Sequence, residues 1–515
     1  MLAKTFGGAV HGINAITITV ETAVGGGMAE PKYYMVGLPD SAVKESLFRV
    51  ETALKQVGLK MPRQRIIINM APADIRKEGS AYDLATALGI LASSEQLKAE
   101  GLEKYIIMGE LSLDGSLQPI KGALPIAIQA RHEEFAGFIL PKQNAREAAI
   151  VSNLKVYAAS HINEVISFFE NGSPLEEIIV DTRKEFADQQ SNYEFDFADV
   201  KGQENIKRAL EISASGGHNA ILIGPPGAGK TMLAKRLPTI LPPLTLHEAL
   251  ETTKIHSVAG KLPTGSSLIS VRPFRSPHHT ISDVALVGGG NYPQPGEISL
   301  AHNGVLFLDE LPEFKRTVLE VLRQPIEERR ITISRAKFSV EYPASFMLVA
   351  AMNPCPCGYF NHPDKECVCG PGVVQKYLNK ISGPLMDRID LHVEVTPVHF
   401  SELSSTRQTE KSESIRERVV KARQIQEERF KGKDGVYCNA QMSSKMIKEY
   451  CQINAAGTNL LKTAMEKLGL SARAYDRILK VSRTIADLAG SAEIKTEHLA
   501  EAIQYRSLDK ESWAK

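Results

Sequence analysis

Between residues 13 and 20 apolar positions alternate with polar ones, Ile16, Ile18 and Val20 against Thr17 and Thr19. A period of two marks a half-buried strand. Val43, Leu47, Val50, Leu54 and Val57 instead recur at steps of four and three, which predicts a helix over residues 41–57. Strand-like runs return at 65–70, 105–113 and 138–140, with a helix expected over 81–91. That mixture predicts an α+β domain over residues 1–165. From 171 to 192 Gly, Ser, Pro and mixed charge replace large apolar side chains, so 166–195 reads as a linker. A helix over 203–215, ended by Gly216 and Gly217, opens the next region. Short unbroken apolar runs then take over at Ala220–Ile223, Val305–Leu308 and 346–352. Such runs are strands buried on both faces, as in a parallel sheet. Residues 196–400 therefore read as an α/β core. From Ser401 the chain turns charged and helical: Ser471 caps a helix with Ala474, Ile478, Val481, Ile485 and Leu488 on one face, and another follows Thr496. Residues 401–515 are expected to form a helical lid on the core.

At 515 residues the chain has room for about three domains. Its net charge of +1 gives no global field to recruit nucleic acid or lipid, so such binding must rest on local patches. No apolar run approaches the roughly 18–20 residues of a membrane span. Lys4 is followed by an apolar run broken by His11 and Asn14, without the pattern of an export signal. A cytoplasmic protein without membrane contact is expected.

The candidate chemistry is concentrated at strand ends. Gly224, Pro225, Pro226, Gly227, Ala228, Gly229, Lys230 and Thr231 follow a buried strand and open a helical pattern. In that context G-x-x-x-x-G-K-[ST] is a phosphate cradle: backbone N–H groups point inward, Lys230 reaches phosphate and Thr231 reaches Mg²⁺. Asp309 and Glu310 follow the apolar run Val305–Leu308, about eighty residues on. At the carboxyl end of a parallel strand they face the nucleotide, Asp309 to hold Mg²⁺ and Glu310 to activate water. Asn353 ends the next apolar run and is expected to position that water. Cys355, Cys357, Cys367 and Cys369 fall within fifteen positions, enough for a tetrahedral Zn²⁺ site. Inert thiols or a labile Fe–S cluster are the alternatives, and His362 is a substitute ligand. Cys438 and Cys451 read as ordinary buried thiols. His278, His279 and His302 show no metal-ligand spacing and read as organisers of a loop.

Two resemblances sharpen this picture. Residues 77–88, with Lys77-Glu78-Gly79-Ser80-Ala81 leading into Asp83-Leu84-Ala85-Thr86-Ala87-Leu88, and Gly109–Gly115 leading into Pro119-Ile120, resemble the proteolytic domain of Lon-type proteases. Aligned without gaps, the nucleophile's place falls on Gly79 beside Ser80, and the lysine's place on Leu124, with Lys121 out of register. A scaffold without protease activity is expected.

The second resemblance covers nearly the whole chain. Residues 272–280 (RPFRSPHHT), 295–302 (PGEISLAH), the Asp309 motif, 352–358 (MNPCPCG) and 473–481 (RAYDRILKV) resemble the magnesium-chelatase-like AAA+ family known as YifB or ComM. The resemblance implies ATP and Mg²⁺ as cofactors and a hexameric helicase that promotes branch migration during natural transformation. It makes Asn353 sensor 1, Arg388 the finger reaching a neighbouring subunit, and Arg473 the sensor-2 arginine. Residues 329–340 alternate as two short strands, where related helicases place a pore hairpin, so Arg335 and Lys337 at its tip are the candidate DNA contacts. A chelatase-type ATPase that remodels a protein partner is the second expectation, and an ATP-dependent protease using Ser80 the third.

Overall fold

A computed structural model describes residues 2–27, 32–97, 100–189, 193–263, 265–290, 293–335, 338–360, 362, 364–397, 409–433 and 435–507. The chain divides into two compact units, Met1–Gln189 with Leu246–Ser270, and Gln190–Thr245 with Val271–Lys515.

The first unit is built on an eight-stranded mixed sheet. Leu2–His11 and Asn14–Gly27 form its central hairpin, in register from Leu2 opposite Ala23 to His11 opposite Asn14. Gln64–Ala71 continues the antiparallel run, and Tyr33–Val36 adds a parallel edge. On the other side Tyr105–Ile107, Gly137–Pro141 and Lys155–Ala159 run parallel. The helix Ser41–Gln56 starts where Asp40 accepts the Val43 N–H at 2.8 Å, a side-chain cap that satisfies an otherwise free donor. The helix Asp83–Ser93 lies between it and the central hairpin, and Leu84, Leu88 and Leu91 are fully buried.

Three sequence expectations change in this unit. The strand Leu2–His11 escapes the periodicity because Gly7 and Gly8 interrupt it; a Cβ at Gly8 would meet Ile126 Cγ2 at 2.8 Å, so side-chain packing from above excludes one. The stretch read as a linker carries the helices Ile162–Asn171 and Thr182–Gln189 and the strand Glu176–Glu177. Its polar composition is used in pairing: Glu185 bonds to Arg146 and Ser267. The helix Leu246–Ala259, expected in the α/β core, belongs to the first unit. There the Gly122 N–H donates to the Ser257 carbonyl at 3.1 Å, and the Ser257 hydroxyl donates to Glu147.

The second unit holds a five-stranded parallel sheet in the order Phe274–Arg275, Val305–Leu308, Met347–Met352, Ala220–Ile223, Leu391–Glu394. The three middle strands are buried along their whole length, which accounts for their unbroken apolar runs. Helices Glu204–Gly216, Ser412–Arg429, Ala472–Leu488 and Thr496–Gln504 share one core with this sheet, through Leu210, Val419, Ile478 and Leu499. Ser471 caps the lid helix Ala472–Leu488 by accepting the Ala474 N–H at 3.2 Å. Ile478, Val481 and Ile485 on its apolar face are each 1% exposed, and burying each stabilises by roughly 1.5–3 kcal/mol. The α/β core, its helical lid and the α+β region before them are thus the fold classes the periodicities predict. No helix among the described residues is long and apolar enough to cross a membrane.

Candidate functional site

The strand Ala220–Ile223 pairs with Met347–Met352 on one side and Leu391–Glu394 on the other. At its end Gly224 is pressed against backbone: a Cβ there would stand 2.2 Å from the Val395 carbonyl oxygen. Gly227 and Gly229 then turn through left-handed φ of 77° and 82°, where side chains are strained, and the helix Lys230–Arg236 begins. The result is a glycine turn that leads straight into a helix start, the setting of an anion cradle.

The neighbouring strand ends complete the pocket. Lys230 Nζ donates to the Gly224 carbonyl at 2.6 Å, the Pro225 carbonyl at 3.0 Å and Asn353 Oδ1 at 3.0 Å. Burial lowers its pKa, and the nearby Asp309 carboxylate opposes that shift. Thr231 Oγ1 donates to Asp309 Oδ2 at 2.6 Å, and the Glu310 N–H donates to Asp309 Oδ1 at 2.9 Å. Lys230, Thr231, Asp309, Glu310 and Asn353 are therefore assembled from three adjacent strand ends, as their spacing predicts. Two hard oxygens converge at Thr231 and Asp309, a donor set that fits Mg²⁺.

Sequence reasoning missed His279. Its Nδ1 lies 3.1 Å from Glu310 Oε2, and its ring lies tilted at 34° against that of His278 with centroids 4.1 Å apart. Glu310 adopts φ 53°, an unfavourable conformation for a residue with a side chain. The histidine pair follows Phe274–Arg275, the strand beside Val305–Leu308; its place within the motif at residues 272–280 was the available sequence signal. His302 Nδ1 accepts the Ser345 N–H at 3.0 Å.

The two arginines make other contacts. Arg388 is 8% exposed; Nη1 donates to the Pro384 carbonyl at 2.7 Å and Nη2 lies 2.8 Å from Glu327 Oε1. Arg473 is exposed, with Nη1 3.6 Å from Asp387 Oδ2. One turn along the same helix, Arg477 Nη1 lies 3.0 Å from Asp390 Oδ1. Burial opposes ionisation of Asp390, but Arg477 and His218 outweigh it and hold the carboxyl well below the usual range.

The hairpin Arg330–Arg335 with Phe338–Pro343 forms in register, Arg330 opposite Pro343 and Arg335 opposite Phe338. Arg335 ends the first strand, and Lys337 lies outside the described residues. Cys355, Cys357, Cys367 and Cys369 bring their four sulfurs within 4.8 Å of one another. His362 is not in that group; its Nδ1 accepts the Asp364 N–H at 3.0 Å. Cys438 and Cys451 are buried free thiols. In the first unit the Ser80 hydroxyl donates to the Glu110 carboxylate. Lys77 is fully buried and donates to the carbonyls of Pro72 and Ile75, Lys121 is exposed and Leu124 is core. No Ser–Lys pair forms there among the described residues.

The sequence model described as magnesium chelatase, subunit ChlI, matches residues 196–403. Those for subunit ChlI of Mg-chelatase and for its C-terminal region match residues 20–144 and 409–506. The chain is 45% identical over 511 residues to competence protein ComM of Haemophilus influenzae, covering 98% of each. It is 44% identical over 505 residues to the YifB protein of Salmonella typhimurium, covering 98% of this chain and 96% of the relative. A partial likeness, 29% over 189 residues, covers 31% of this chain and 33% of Lon protease 2 of Bacillus subtilis.

Proposed function

This chain belongs to the ComM and YifB family of magnesium-chelatase-like AAA+ proteins, and on that premise we propose that it is an ATP-driven hexameric motor acting on DNA in the cytoplasm. The family supports an ATPase role and implies ATP and Mg²⁺. The observation that carries the reading is the union of Lys230, Thr231, Asp309 and Asn353 by direct hydrogen bonds across adjacent strand ends.

In this reading the loop from Gly224 to Gly229 and Lys230 bind the β- and γ-phosphates. Thr231 and Asp309 would hold Mg²⁺, which would supply positive charge beside the phosphate oxygens. Glu310 orients and deprotonates the attacking water, and Asn353 fixes its position. Arg388 reaches a neighbouring chain's γ-phosphate, and Arg473 reports γ-phosphate to the lid. The hairpin carrying Arg335 and Lys337 tracks the DNA backbone without reading bases. The four cysteines hold Zn²⁺.

The name of the ComM relative, a competence protein, favours branch migration of DNA taken up during transformation. The chelatase family models favour the second reading, a motor that remodels a protein partner. ATP turnover separates the two: branched or single-stranded DNA raises it several-fold in the first reading and leaves it unchanged in the second. The carboxylate-bound Ser80, with no lysine paired to it among the described residues, argues against proteolysis.

A further inference from the structure

The four-cysteine loop is joined to the phosphate cradle at two points. Cys355 lies two residues after Asn353, whose side chain accepts a hydrogen bond from Lys230. Gly358, at φ 86°, rests directly on the Pro226 ring: a Cβ there would stand 2.5 Å from Pro226 Cδ. Gly224 and Pro225 line a shared cleft with Pro354, Gly358 and Phe360. Between Asn353 and Gly372 no described residue lies in a helix or strand, so backbone ladders do not order this loop. Something else must.

The sulfur geometry supplies the candidate. Cys355 Sγ lies 3.2 Å from Cys357 Sγ and 3.7 Å from Cys367 Sγ, and Cys357 Sγ lies 3.6 Å from Cys367 Sγ. A tetrahedral zinc with bonds of about 2.3 Å places its sulfurs about 3.8 Å apart. Disulfides need sulfurs about 2.05 Å apart, and a multi-iron cluster spreads its thiolates more widely than four sulfurs all within 4.8 Å. Cys355 is fully buried and its sulfur accepts the Phe360 N–H at 3.3 Å, the kind of supporting contact that orients a metal ligand.

We propose that one Zn²⁺ bound by Cys355, Cys357, Cys367 and Cys369 braces the nucleotide-binding loop through Asn353 and Gly358, so that metal loading sets nucleotide affinity. This rests on the zinc and ATPase readings above. Binding replaces the four S–H protons with four S–Zn bonds, and the protons pass to solvent. With the metal in place, the loop holds Gly358 against Pro226 and Asn353 against Lys230. With it removed, the loop loses this cross-link and the cradle loses its backing.

Three measurements on the full-length protein test this: metal content, binding of a fluorescent ATP analogue, and thermal melting. Wild type is expected to carry close to one zinc per chain. Cys367→Ser loses the zinc and weakens nucleotide binding at least ten-fold, while the melting transition of the second unit stays in place. Gly358→Ala keeps the zinc yet weakens binding comparably, because its added Cβ displaces Pro226; this variant separates the brace from a general loss of fold. Zinc-bearing wild type whose affinity is unchanged after zinc extraction overturns the brace alone. Iron with sulfide, or no metal, overturns the zinc site, and zinc-bearing wild type that binds no nucleotide overturns the ATPase reading.

Discussion

Arg388 Nη2 meets Glu327 Oε1 at 2.8 Å, so the guanidinium assigned to a neighbour's nucleotide is held by a carboxylate of its own chain. In the proposed ring, assembly exchanges one acceptor for another. Removing such a finger costs on the order of 10³-fold or more in turnover. Arg388→Ala is expected to bind nucleotide normally and to hydrolyse almost none. Mixed with Glu310→Gln, which retains the arginine, it should regain activity, because rings of both contain sites with an intact Glu310 facing an intact Arg388. Steady-state ATPase of the mixture reads this directly; a mixture no more active than its parts excludes shared sites.

His279 fixes Glu310. Its ring nitrogen lies 3.1 Å from the carboxylate, and contact with the His278 ring limits its freedom. His279→Ala should lower kcat about ten-fold, within the range for a misplaced general base, with little change in KM. His279→Gln, which restores a hydrogen-bonding group, should recover part of the loss. A fall in affinity without a fall in kcat would mean that the histidine shapes the binding pocket instead.

The lid is anchored by a buried charge. Asp390 is 1% exposed and faces Arg477 and the Asn219 N–H, the latter at 3.0 Å. Removing one partner of such a pair typically costs about 3–5 kcal/mol. Arg477→Ala should lower the denaturant midpoint of the ATPase unit accordingly, whereas Arg473→Ala, at an exposed pair, should leave it nearly unchanged. Equal midpoints for the two variants would contradict this assignment of the anchor.

Lys480 gives the lid a signature in alkaline solution. Burial, reinforced by Arg477, pushes its pKa down from 10.5 to about 8. Between those values the unfolded chain keeps the proton and the folded chain sheds it, so this group's contribution to stability rises with pH from about 8. Cys451 and Tyr505, whose buried acids titrate higher than usual, act in the opposite sense. The difference in melting temperature between Lys480→Met and wild type cancels them: the variant's advantage at pH 8 should shrink by pH 10.

The elements that sequence alone disclosed are those whose cause is local. Gly224 to Thr231 sit in a strand, turn and helix that are contiguous, and Asp309 and Asn353 terminate apolar runs readable without knowing their neighbours. The strand order that brings Asn353 to Lys230 follows from pairing across more than a hundred residues. His279 was hidden for the same reason: its partner is thirty-one residues away, on a different strand end. Residues 182–189 looked like a linker because their stabilising partners, Arg146 and Ser267, are polar and distant. Arg388 was recognisable by resemblance, but its Glu327 partner was not, since one exposed carboxylate among many carries no mark in sequence.

In the proposed motor the tip of the hairpin Arg330–Arg335 with Phe338–Pro343 contacts DNA. Arg335→Ala with Lys337→Ala should keep basal ATPase within two-fold and lose its stimulation by DNA. The salt dependence of DNA binding should flatten by a slope of about 1–2, as expected for two lost phosphate contacts. An unaltered slope would move the DNA path elsewhere.

The motor reading is tested most directly by displacement of a labelled strand from a branched DNA substrate, with ATP, by wild type and by Glu310→Gln at equal nucleotide occupancy. The account predicts displacement by wild type that stops when ATP is withheld, and none by Glu310→Gln. An active ATPase that moves no strand, or displacement undiminished in the Glu310 variant, would contradict it.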